Sequence, residues 1–314
     1  MTVHSGPVVE SRPEPVRPDA RRLLGIDFGG TKMAVAVADA QGRILRSERV
    51  PTYAGRGAGQ ALDRALELAG RLVSDAGGSL AAAGIASPGV VRDDGIDLAP
   101  NVPGWERLRL ADAVRAALPV SVVEVGNDLN AAALAELRLG ALRDADPGLV
   151  VGLGTGVATA LTVGGSVVAG HRGAAGEIAY AVTGAHWPAV PHDTMLEAVF
   201  SGRALDLLAA ELGMSGGAAE LCRHAERPGP ARDALLVRVD ELARHLATCC
   251  LLVDPRRVVL VGGVARNDLV RGLLADRLTA VLPHRPDVVL STFADDAALL
   301  GAVTMAGEAM AAHR

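Results

Sequence analysis

The chain has 314 residues, of which 50% are hydrophobic but only 2% aromatic, so its core must be built from Ala, Val and Leu packed between helices and sheet. That excludes an aromatic-rich sandwich, and the length fits two lobes or one large α/β domain. A net charge of −5, with no Lys/Arg run interleaved with aromatics, excludes the electrostatic footprint of a nucleic-acid binder.

Residues 1–22 contain Pro7, Pro13, Pro15 and Pro18 among scattered charges and no continuous apolar stretch. They are expected to form a disordered tail rather than a signal peptide. The first ordered element is the apolar run Leu23–Phe28, ending in Gly29-Gly30-Thr31-Lys32. With Met33–Ala38, a turn at Ala40–Arg43 and Ile44–Val50, it predicts a three-strand antiparallel meander. Ala61, Leu62, Ala65, Leu66, Ala69, Leu72 and Val73 recur at helical spacing and predict an amphipathic helix. Leu80–Ala86 reads as a buried strand, Leu108–Leu118 as a helix, and Val120–Val125 as a strand delivering Gly126-Asn127-Asp128 to its carboxyl end, with a helix from Ala131 to Leu139.

A second strand-rich set begins at Leu149 and runs through Val168, punctuated by Gly154-Thr155-Gly156 and Gly164-Gly165. This echo of the opening predicts duplicated lobes. Residues 148–170 carry no charge over a bilayer-spanning length, yet their seven glycines indicate short strands and turns instead of a membrane helix. The second half is mostly helical: Ala204–Leu212, then Ala234–Leu252 with the stripe Leu235, Val239, Leu242, Leu246 and Cys249 before Asp254-Pro255 ends it. Val258–Val261 is a strand into Gly262-Gly263, and a terminal helix starts near Asp296. Cys222, Cys249 and Cys250 offer neither metal-ligand spacing nor an even-numbered disulfide framework, so a reducing cytoplasm is the expected compartment.

Three glycine-containing turns, at Gly29–Thr31, Gly154–Gly156 and Gly262-Gly263, each follow a short apolar strand and let backbone N–H groups approach phosphate. Neither a P-loop nor a dinucleotide fingerprint fits them, and each alone is compatible with a tight bend. Asp27 ends an otherwise apolar strand, where a carboxylate needs a cation or strong donors; magnesium on nucleotide phosphates or turn N–H groups would serve. Asp128 precedes a helix, which leaves it equally an N-cap or a general base taking a proton from an attacking hydroxyl, with Asn127 holding that substrate.

Leu24–Lys32, Gly126–Ala133, Gly154-Thr155-Gly156 and Gly173–Ile178, in this order, resemble the ROK family of bacterial sugar kinases and repressors. Asn101–Trp105, Leu196-Glu197, Val261–Val264 and Asp296–Ala302 extend the likeness over nearly everything after residue 22. The resemblance implies an α/β, two-lobed, actin-like ATPase (ribonuclease H-like) fold with duplicated lobes: residues 23–137 with 298–314 in a small lobe, and residues 138–297 in a large one. It implies that Asp27, Gly29, Gly30, Thr31 and Lys32 form the first phosphate loop, with Asp27 near Mg2+, that Thr155 and Gly156 belong to the second, and that Gly262 and Gly263 flank adenosine. Asp128 matches the family's catalytic base, and Asn101, Asn127, Glu177 and Glu197 match positions that hydrogen-bond sugar hydroxyls.

Two departures stand out. Tyr180 replaces the histidine that in many members contacts sugar and ligates structural zinc, and Pro188–Met195 replaces the cysteine-rich segment. With about four N or S ligands needed, no zinc site is expected; His171, His186 and His192 read as ordinary loop histidines. The expected activity is ATP- and Mg2+-dependent transfer of a phosphoryl group to a hydroxyl of a hexose or a hexose-like cyclitol, such as a valiolone-type compound. A cytoplasmic homodimer with no nucleic-acid or membrane partner is expected. A repressor would need a helix-turn-helix domain that residues 1–22 do not supply. A catalytically silent sugar-binding protein on the same fold is the alternative, and the retained Asp128 and phosphate loops argue against it.

Overall fold

A computed structural model describes residues 20–92, 95–99, 102–184 and 195–313. The opening strands β1 (Arg21–Phe28), β2 (Lys32–Asp39) and β3 (Ile44–Pro51) form the expected antiparallel meander. Strand β1 starts at Arg21, two residues earlier than the sequence suggests. The reason is Arg22, whose guanidinium donates to Gly77 O at 2.8 Å and Ala76 O at 3.4 Å, satisfying carbonyls at the end of the next helix.

That helix, α1 (Ala58–Ala76), buries Ala61, Leu62, Ala65, Leu68, Ala69 and Leu72 on one face. It is followed by β4 (Ser79–Ser87), the hairpin β5 (Val90–Arg92) and β6 (Gly95–Asp97), then α2 (Leu110–Ala117), β7 (Val122–Asn127) and α3 (Asp128–Leu139). The first sheet runs β3-β2-β1-β4-β7, with β4 and β7 parallel to β1. A second sheet repeats this plan. It comprises β8 (Gly148–Leu153), β9 (Val157–Val163), β10 (Ser166–Val167), β11 (Arg257–Val261) and β12 (Asp287–Leu290), in the order β10-β9-β8-β11-β12. Its first three strands are again an antiparallel meander and its last two are parallel to β8.

Between the halves of the second sheet lie α4 (Leu196–Val199), α5 (Gly202–Glu211), α6 (Gly217–Ala225) and α7 (Pro230–Val253); α8 (Asp268–Val281) and α9 (Ala297–Ala312) complete the chain. Leu235, Val239, Leu242 and Leu246 of α7 are buried as the periodicity predicts, but the stripe continues through buried Cys250, with Cys249 only half-buried. Helix α7 stops where Asp254 takes a left-handed φ of 49° before Pro255.

The first sheet is covered on both faces, which is why β1 and β2 read as continuous apolar runs. Leu24, Ile26, Phe28, Val35 and Val37 pack under α1, while Leu23, Ala34, Ala36 and Ala38 pack under α9. Helices α3 and α9 lie against each other, with Ala131 and Ala302 buried between them. Residues from both, with Val150 of β8 and Val259 of β11, form a further core. The two helices therefore join the two sheets. Among the described residues no helix is long and apolar enough to cross a membrane.

Candidate active site

Parallel pairing brings the carboxyl ends of β1, β4 and β7 to one edge: Asp27 pairs with Ala86 and Ser87 with Asn127. On the second sheet the ends of β8 and β11 are neighbours, with Val261 opposite Gly152. Ligands of open α/β sheets bind at such edges.

At the first edge, β1 turns back into β2 through a closed loop. Gly29 N donates to Lys32 O at 3.0 Å, and a β-carbon on Gly29 would stand 2.6 Å from that oxygen. Thr52, just past β3, braces this loop by donating its hydroxyl to Gly29 O at 2.6 Å and its N–H to Thr31 O at 2.9 Å. At the second edge, Gly154 N donates to Gly156 O at 3.1 Å, and Gly202 N at the start of α5 donates to Gly154 O at 2.8 Å. Gly262 has φ +105° and would carry a β-carbon 2.5 Å from Leu153 O, so only glycine lets β11 and β8 end this close together.

These loops open onto a cavity of about 830 Å³ lined by Thr31, Gly154, Thr155, Gly202, Arg203, Asp206, Ala218, Ala219, Cys222, Gly263, Val264, Arg266 and Asn267. Thr31, Thr155 and Gly263, from three distant parts of the sequence, thus face one space. Gly29, Gly30, Gly156 and Gly262 are not among its lining residues, and Lys32 is exposed at the start of β2. Arg203, Asp206, Arg266 and Asn267 were not singled out from the sequence. Ser201 held the available signal: its hydroxyl oxygen caps α5 by accepting Ala204 N at 3.0 Å, so the helix begins at Gly202 and presents Arg203 to the cavity.

The two readings of Asp128 separate here. The N-cap of α3 is Asn127, whose Oδ1 accepts Leu129 N at 2.9 Å and Asn130 N at 3.0 Å, and α3 therefore starts at Asp128 instead of Ala131. Asn127 Nδ2 donates to Gly89 O at 3.0 Å, which leaves that side chain one N–H for a substrate. Asp128 accepts from Leu129 N at 2.8 Å; burial nevertheless pushes its carboxyl up to about 6. Asp27 is pushed up to about 7, first by burial and then by the Asp128 carboxylate, with Arg49 opposing and Asp296 adding to the rise.

Glu177 lies within electrostatic reach of Asp128 and Glu197, and burial together with those two carboxylates raises its pKa. Glu197 accepts Val157 N at 3.2 Å, its carboxylate lying over Gly156 where a β-carbon would otherwise be. Tyr180 packs half-buried on the large core, and burial followed by Glu177, Glu197 and Glu106 raises its phenol's pKa. Asp128, Glu177, Glu197 and Tyr180 therefore share one region beside the cavity. Asn101 lies outside the described residues, as do His186, His192 and residues 188–194; His171 is exposed.

The contact between Gly156 and Glu197 changes what a bulky residue at 156 would do. As a residue of the second phosphate loop that the resemblance implies, Gly156 replaced by valine is expected to weaken nucleotide binding and to leave sugar binding less affected. With Glu197 over Gly156, the valine must also displace that carboxylate. If the roles implied by the resemblance hold, the variant should therefore weaken sugar binding several-fold as well as ATP binding, whereas Thr31→Val should weaken ATP more than sugar. Separate calorimetric titrations with ATP and with the accepted sugar check this.

A family model described as the ROK family matches residues 23–309. A glucokinase of Thermotoga maritima is 31% identical, the match covering 91% of this chain and 98% of that protein. An N-acetylmannosamine kinase of Escherichia fergusonii is 30% identical over 90% and 97%. The crystal structure of a ROK family glucokinase from Streptomyces griseus in complex with glucose and AMPPNP is 28% identical, covers 91% of this chain and 99% of its own, and superposes with a TM-score of 0.72.

Proposed function

The chain belongs to the ROK family, and we propose that it transfers the γ-phosphoryl group of ATP to a hydroxyl of a hexose or a hexose-like cyclitol. Its reaction class is that of a sugar kinase, a phosphotransferase with an alcohol acceptor. The observation that carries the reading is the meeting of Asp128, Glu177 and Glu197 beside a cavity reached by Thr31, Thr155 and Gly263.

In this reading the loops at Gly29–Thr31 and Gly154–Gly156 hold the phosphates, and Gly262-Gly263 bounds the adenosine end of the cavity. Glu177, Glu197 and the remaining N–H of Asn127 hold acceptor hydroxyls, with Asn101 a further proposed ligand. Asp128 accepts the proton of the attacking hydroxyl. A raised carboxyl pKa suits this, because a base is more effective as its pKa approaches the working pH, provided that it stays ionised.

Asp27 fits a hard cation: it is an oxygen donor near the carboxyl end of β1, desolvated and crowded by the negative charge of Asp128. Magnesium bound there with ATP would neutralise charge on the transferred group. The residues proposed for each lobe are 23–137 with 298–314, and 138–297. The enzyme is proposed to work in the cytoplasm as a homodimer, without nucleic-acid or membrane partners.

Assay of hexoses, amino sugars and cyclitols for ATP-dependent phosphorylation tests the activity. Turnover of at least one supports the reading, and nucleotide binding without turnover of any would overturn it. A second expectation concerns metals. With Tyr180 at the position of a zinc-ligating histidine and no thiol in residues 188–195, elemental analysis should find no stoichiometric zinc, and a zinc chelator should leave Tm unchanged while magnesium is still required. Zinc whose removal unfolds the protein would refute this.

A further inference from the structure

The segment between β12 and α9 is bonded to three separate parts of the molecule. Ser291 Oγ and Thr292 N donate to Glu136 Oε1 at 2.6 and 2.9 Å, and Glu136 is a fully buried carboxylate of α3, the helix that begins with Asp128. Asp296 accepts from the Arg49 guanidinium of β3, which also donates to Asp295 O at 3.1 Å. The Asp295 carboxylate pairs at 2.9 Å with Arg266, a residue of the cavity wall.

Adjacent aspartates thus reach in different directions, one to the first sheet and one to the loop that follows Gly263. Ala294, just before them, takes a left-handed φ of +50°, a conformation unfavourable for an L-residue and held here by the surrounding bonds. The same strand that supplies Arg49 leads into Thr52, the brace of the Gly29–Thr31 loop. One edge strand therefore supports both the phosphate end and the opposite wall of the cavity.

We propose that the Asp295–Asp296 turn is a clasp between the lobes, and that Arg49, which does not itself line the cavity, is a positioning residue for ATP. This rests on the assignment of the 830 Å³ cavity to nucleotide. Arg49 acts through Asp296 and Asp295 on Arg266, holding the wall at the spacing that the phosphate loop requires. The charges of Arg49 and Asp296 also reach Asp27, but the clasp acts through Asp295 on Arg266. Asp295→Asn, which leaves Arg49 and Asp296 in place, should therefore weaken ATP to a similar degree, and parental affinity in that variant would overturn the clasp.

Because exposed ion pairs are each worth about 0.2–1 kcal/mol, Arg49→Met should raise the ATP Kd about 1.4- to fivefold in calorimetry, with the sugar KM unchanged. Arg49→Lys, which keeps a cation for Asp296, should recover part of the loss. In an Asp296→Asn background Arg49→Met should have little further effect, since the two residues act as one unit. Arg71→Met is the control: Arg71 pairs with Glu48 of the same strand at 3.5 Å, away from the turn, and its loss should leave ATP binding unaltered. Parental ATP affinity in Arg49→Met, equal weakening in Arg71→Met, or full additivity with Asp296→Asn would each overturn the clasp. A parent protein that binds its sugar but no ATP would instead bring down the nucleotide assignment on which the clasp stands.

Discussion

Asp128→Asn is expected to lower kcat by about 10²–10⁴-fold, the usual contribution of a general base, while ATP and sugar bind nearly as before. Asparagine keeps an oxygen that can accept Leu129 N but loses the basicity together with the negative charge that raises Asp27 and Glu177. Since Asn127 caps α3, the helix start should survive the change; turnover near the parental value would return Asp128 to a structural role. In the parent, the carboxylate form is the active one, so with a carboxyl near 6 in the free protein kcat/KM should fall as pH drops through about 6.

The same shift predicts a stability effect of opposite sense to the loss of activity. A carboxyl raised in the folded state to about 6 from 3.8 binds its proton more tightly there than in the unfolded chain. Its ionisation therefore costs stability, increasingly from about pH 4 upward and fully above about pH 6. Asp128→Asn should consequently melt above the parent at neutral pH and lose that advantage on acidification toward pH 4. Thermal denaturation across this pH range checks it.

Much of the first sheet was legible because β1, β2 and β3 are contiguous and alternate with clear turn residues, and the helical stripe of α1 finds most of its buried face, missing Leu68 and including the half-buried Leu66 and Val73. The order of the second half was less so. Helix α8 buries only Val270, Leu274 and Leu278, one residue per turn, and β12 is four residues long with no buried side chain; neither leaves a strong periodic trace.

At the site, the positions of Asp27 near the end of β1 and of Asp128 just after β7 were readable from the apolar runs that lead to them. The capping role of Asn127 was not, because both Asn and Asp are good caps and adjacent in sequence. Glu136 was equally hidden. A glutamate in a helix reads as solvent-facing, and its burial depends on Ser291, Thr292 and Ala141 N at 2.7 Å, partners that only the folded chain supplies. Arg49 and Asp296 are 247 residues apart, and no local pattern joins them.

Close approach of α9 to the rest of the site leads to the largest expected loss of stability, at Gly301. A β-carbon there would lie closer than 3.0 Å to the carbonyl oxygen of Ala131 in α3, and one on Gly84 of β4 would meet the Ala302 carbonyl as closely. Backbone on both sides leaves no flexible side chain to yield. Gly301→Val must therefore push α9 away from α3, opening the buried contact between Ala131 and Ala302. Overpacking of a core costs typically 1–3 kcal/mol, occasionally more, and with rigid backbone as the neighbour about 3 kcal/mol or above is expected, a fall in Tm of roughly 5 °C or more. Activity should fall further than stability alone explains, because α9 packs on both β1, which carries Asp27, and α3, which carries Asp128. Gly307 of the same helix provides the comparison: a β-carbon there meets only the Leu23 side chain, at 3.5 Å. Gly307→Ala should thus be neutral or stabilising by up to about 1 kcal/mol through the restricted unfolded chain. Equal destabilisation at the two positions would show that glycine content of α9, and not its contact with α3, is what matters.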